Sequence, residues 1–92
     1  MESQEYLKLN DGTILQESKA YETGTGLIVI IHDETIDIVK AFSLLSDSEK
    51  ANEITYHYYK ADLIFNDYTE IQSISKDKAG ISAILEKKST NK

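Results

Sequence analysis

Apolar residues run unbroken from Leu27 to Ile31, the densest such stretch in the chain. They return at helical spacing from Ile36 to Leu45. The first stretch lacks alternation, the pattern of a central strand covered on both faces. In the second, Ile36, Val39 and Phe42 recur at i, i+3 and i+6, and Ile38, Ala41, Leu44 and Leu45 widen the stripe. Most of that surface is apolar, which predicts a helix over 35–46 docked on a sheet. Asp33 is placed to cap it, with Glu34 adding negative charge at the positive end of the dipole. Lys40, Ser43 and Asp37 mark its exposed face.

The rest of the chain reads as strands and turns. Strands are predicted over 5–9 and 13–20, joined through Asp11-Gly12, because both residues tolerate positive φ. Residues 22–26 form a glycine-containing connection and 46–52 a loop with one helical turn. Asp47 caps that turn and Asn52 closes it in the left-handed region. Strands follow over 53–59, with Ile54, Tyr56 and Tyr58 on one side, and over 62–65, ended by Asn66-Asp67. Residues 68–76 are extended, but Ile71 and Ile74 are three apart, which predicts a bulge between them. Asp77 to Gly80 is a hairpin turn before a last strand over 81–87. The expected fold is α+β: a mostly antiparallel sheet of about 6–7 strands, curled towards a half-barrel, against one helix. Residues 1–88 form a single domain, and 89–92 a polar, disordered tail.

Composition narrows the function classes. Twelve isoleucines and eight leucines supply most of the core, with two phenylalanines and no tryptophan. The net charge is −6, and all ten basic residues are lysine. Without arginine the chain lacks the usual bidentate grip on phosphate or guanine, and its field repels a phosphate backbone. Direct nucleic-acid binding is therefore not expected. A basic protein surface would be attracted. No cysteine is present, which removes disulfides and thiolate chemistry. Met1 to Glu5 is acidic and lacks a signal-peptide apolar core, so secretion by a signal peptide is not expected. The longest apolar run is far short of a membrane span, and no membrane contact is expected.

Catalytic and metal signatures are equally sparse. His32-Asp33-Glu34 invites a metal reading, but the other histidine, His57, lies on a different element, and a stable site wants three or four ligands. A strand end and a helix cap explain the triplet. Gly24 and Gly26 are not followed by the lysine and hydroxyl of a phosphate loop. Asp33/Asp37 and Asp62/Asp67 are spaced carboxylates, yet general acid–base work needs one of a pair buried in an apolar cleft. No serine has a nucleophile-elbow framework. The expectation is a non-enzyme with no cofactor and no metal.

The tyrosines carry more information. Tyr56, Tyr58 and Tyr59, with Tyr68, place amphipathic aromatic surface on one part of the sheet, and tyrosine is enriched at protein interfaces. Together with Asp62, Asp67 and Glu70 they are the candidate protein-binding residues.

Four segments carry a likeness in order and turn chemistry: Leu7-x-Leu9-Asn10-Asp11-Gly12-Thr13, Thr35-Ile36 through Ser46-Asp47, Tyr68 through Ser75, and Gly80 through Leu85. This layout, over about residues 6–88, resembles small uncharacterised phage and prophage proteins of Gram-positive bacteria. The resemblance implies a phage-encoded accessory or virion-assembly protein, located in the host cytoplasm or the virion, and carries over no site residue. The expected function is then a protein–protein interaction module. Its partner is a virion component or a second copy, met through a strand edge or the tyrosine face. The alternative is an acidic inhibitor of the anti-CRISPR or anti-restriction type, filling the basic groove of a host nucleic-acid-binding enzyme.

Overall fold

The computed structural model describes residues 5–87; the tail at 89–92 lies outside them. Asp11-Gly12 turns the chain as its chemistry demands. The Asp11 carboxylate accepts from the Thr13 N–H at 3.0 Å, and Gly12 takes φ 96°. That turn pairs β1 (Glu5–Leu9) with β2 (Ile14–Gln16), Leu7 opposite Leu15. The chain continues through Glu17 into β3 (Ser18–Glu22), a hairpin loop, and β4 (Leu27–Ile31). After α1 (Ile38–Leu45) come β5 (Glu53–Tyr58), β6 (Ala61–Asn66), β7 (Glu70–Asp77) and β8 (Gly80–Glu86).

All pairings are antiparallel, as the sequence pattern implied, but the strands do not form one curled sheet of six or seven. Among the described residues, eight strands make two four-stranded sheets, β2-β1-β5-β6 and β3-β4-β8-β7. The reason is local. The segment expected to be one strand over 13–20 breaks at Glu17, whose φ of 53° no strand residue adopts, so its halves join different sheets. The buried Ser18 hydroxyl donates to the Gln16 carbonyl at 2.9 Å and secures the break.

The sheets enclose one core. Leu7, Leu9, Leu15 and Ile54 come from the first sheet, and Ala20, Leu27, Val29, Ile31, Ile81, Ala83 and Leu85 from the second. Each fully buried leucine or isoleucine contributes roughly 2–3 kcal/mol. β4 is central in its sheet but alternates: Leu27, Val29 and Ile31 are buried, Ile28 and Ile30 only half so. Gly80 begins β8 at φ 124°, with the Ile31 carbonyl oxygen 2.5 Å from where a Cβ would stand. The bulge expected between Ile71 and Ile74 is present as a register shift between Ile71 and Ser73.

The helix is shorter than predicted and turned differently. Its N-cap is Asp37, whose carboxylate accepts from the Lys40 N–H at 2.8 Å. Asp33, expected in that role, instead closes a turn with Thr35. Ala41, Leu44 and Leu45 face the core, with Ile38 packed against it. The predicted stripe is only partly docked: Ile36, before the helix, packs against the core, but Val39 is 73% exposed and Phe42 is also exposed. The last predicted turn feature also differs. Asp47 caps the 48–51 turn through the Glu49 and Lys50 N–H groups, but Asn52 does not adopt positive φ.

Candidate protein-binding hairpin

The two-residue turn Tyr59-Lys60 joins β5 to β6, with Tyr58 opposite Ala61. Tyr59 has φ 64° and Lys60 does not share it, the pattern of a type II′ turn. Glycine normally fills that position, because a side chain there crowds its own backbone. Tyr59 is 66% exposed and stacks on Tyr58 at 5.7 Å between ring centroids. Tyr58, also exposed, stacks on Tyr56 at 6.2 Å. Three rings thus step from the rim of the core out to the hairpin tip.

Tyr56 anchors the stack. It is half-buried against the core and its hydroxyl donates to the Glu5 carboxylate. Burial, then that carboxylate, hold its phenol well above the ordinary range. Asp62 lies one residue into β6 and accepts from His57 Nδ1 at 2.6 Å. The His57 ring in turn stacks on Tyr6 at 4.7 Å. This row crosses the outer face of the first sheet.

The remaining predicted residues lie elsewhere. Asp67 and Tyr68 follow the far end of β6, roughly 17 Å from Asp62 by strand rise. Asp67 is exposed at φ 70° and its N–H donates to the Asn52 carbonyl. Tyr68 is buried edge-on against Phe65, and its hydroxyl donates to Glu22 at 2.7 Å. That bond, then burial, raise its phenol above the ordinary range. Glu70 is exposed at the start of β7, opposite Glu86. The structure therefore lines up Tyr56, Tyr58 and Tyr59, sets Asp62 beside His57 on the opposite face of the same hairpin, and separates all four from Asp67, Tyr68 and Glu70.

Sequence reasoning missed two members of the hairpin surface. Leu63 and Ile64 are 53% and 55% exposed, because β6 is an outer strand of its sheet. The strand was legible, but its edge position was not.

A cleft of about 430 Å³ lies where β2, β4 and β7 end, bordered by Glu17, His32, Asp33, Glu34, Lys76 and Asp77. Its carboxylates are already engaged or exposed. One Asp33 oxygen accepts from Thr35 and the other from the Gln16 N–H at 3.0 Å. Burial raises the Asp33 carboxyl, but those bonds outweigh it and hold it below the ordinary range. Among the described residues, no group of three or more His, Cys, Asp or Glu could hold a metal ion, and no helix is long and apolar enough to cross a membrane.

No protein-family model, curated protein or solved structure matches the chain.

Proposed function

We propose that the chain is a non-enzymatic protein–protein interaction module that docks through its β5–β6 hairpin. One observation carries this reading: an aromatic side chain occupies a turn position that disfavours it, and holds a stacked tyrosine surface out in solvent. Strain of that kind costs about 1–3 kcal/mol and clusters at functional sites. Tyrosine offers large, rigid, amphipathic contact area, which is what a protein interface selects. The likeness to phage and prophage proteins makes a virion component the partner class we propose.

The distribution of charge supports contact through shape over charge mimicry. Glu17, Asp33, Glu34 and Asp77 surround the cleft, but Lys76 and Lys78 lie among them. Glu22, Glu70 and Glu86 lie at the ends of strands in the second sheet, with Lys87 over the Tyr68 ring. A groove mimic needs one continuous acidic face.

The test is photocrosslinking from position 59 in cells producing the virion, with position 25, in the β3–β4 loop, as control. The expected result is one discrete adduct to a structural protein from position 59 only. No adduct at 59, or the same adduct at both positions, would overturn the reading.

A further inference from the structure

We propose that β6 pairs with β6 of a second copy, antiparallel about a two-fold axis at Ile64, joining the two first sheets into one of eight strands. The proposal rests on the hairpin being a docking element and names an occupant for its open edge.

The four outer strands are not equally protected. β2 has three residues and ends at the Glu17 break. β7 carries a bulge and the charges Glu70, Lys76 and Asp77. β3 carries Lys19 and Glu22. Bulges, charge and shortness are the usual devices against edge pairing. β6 has six residues, no bulge and one charged residue, Asp62, which is drawn back onto His57 of the neighbouring strand. Leu63 and Ile64 are exposed in its middle.

The hydrogen-bond phase of β6 fixes the register. A two-residue turn closes on a hydrogen-bonded pair, here Tyr58 and Ala61. Bonded pairs then alternate, so Ala61, Leu63 and Phe65 bond to β5. Asp62, Ile64 and Asn66 direct their N–H and C=O groups outward. A second strand must match outward residues to outward residues. Centring on Ile64 places Ile64 against its own copy, Asp62 against Asn66, and Leu63 against Phe65. Ile64 meets Ile64, and Asp62, held by His57 through one oxygen, has the other for the Asn66 amide; Phe65 is buried in the core and offers Leu63 no exposed side chain. The strand is also flanked by opposite charges, Lys60 before it and Asp67 after it. Antiparallel pairing brings each to the end where the other lies. A peptide of unrelated sequence offers the backbone bonds but not this match, so the occupant is a second copy.

Six paired residues make a small interface, so the dimer is a weak one. Sedimentation velocity from micromolar to millimolar concentration is the test. Wild type should pass from monomer to dimer. Ile64→Pro removes only an outward N–H and leaves the β5 ladder intact. It should weaken dimerisation about tenfold or more, since both bonds of the central pair are lost. Asp62→Lys, which destroys the match to Asn66 without touching the backbone, should weaken it too. A monomer throughout, or a dimer indifferent to Ile64→Pro in a variant of unchanged circular dichroism, would overturn the proposal. Failure here leaves the position-59 adduct standing, whereas failure of the broader reading removes that adduct and leaves the dimer.

Discussion

Tyr59 is where folding and the proposed docking make opposite demands on one residue. Its φ of 64° is ordinary for glycine and costly for tyrosine, and the stack on Tyr58 returns only part of that cost. Tyr59→Gly should therefore stabilise the fold by about 1 kcal/mol, read as a higher urea midpoint with unchanged slope. The same substitution should abolish partner capture by the hairpin. A variant less stable than wild type would mean that the tyrosine serves the turn itself. At this scale the sequence was informative about Tyr56 and Tyr58, which alternate with Thr55 and His57. It named Tyr59 as a candidate but placed it in the strand rather than the turn, because Tyr-Lys carries none of the Asn, Asp or Gly that announce a tight turn. Tyr68 looked like surface because its hydroxyl is polar. Its bond to Glu22, distant in sequence, is what lets it be buried.

Among the elements, the turns written in side-chain chemistry were readable and the one written in backbone strain was not. Asp11-Gly12, Asp77 to Gly80 and the bulge near Ile71 each had a local cause. The break at Glu17 had none, since glutamate gives no sign of entering the left-handed region, and with it went the division into two sheets. Glu17→Gly should accordingly gain about 1 kcal/mol, and Glu17→Val should lose a similar amount or more, by thermal melting. Equal stability of the two would mean that the chain does not bend there. The helix shows a different difficulty. Seven of its surrounding positions are apolar, so periodicity could not choose the docked face. Asp37 rather than Asp33 sets its start, and Ala41, Leu44 and Leu45 turn inward.

Across the whole molecule, two sheets and a short helix bury one core and leave β6 as the least protected edge. No pattern in the chain reveals strand order, so this edge could only be found in the fold. The proposed docking lies there and at the tyrosine tip beside it, away from the cleft where β2, β4 and β7 end. Residue-resolved amide exchange, followed from micromolar to millimolar concentration, tests that most directly. In dilute protein the Leu63 and Phe65 amides should exchange slowly and those of Asp62, Ile64 and Asn66 fast, giving an alternating pattern along β6. As concentration rises the three fast amides should slow while those facing outward on β3 and β7 do not change. Protection that grows on β3 or β7 instead, or three amides that stay fast at every concentration, would contradict it.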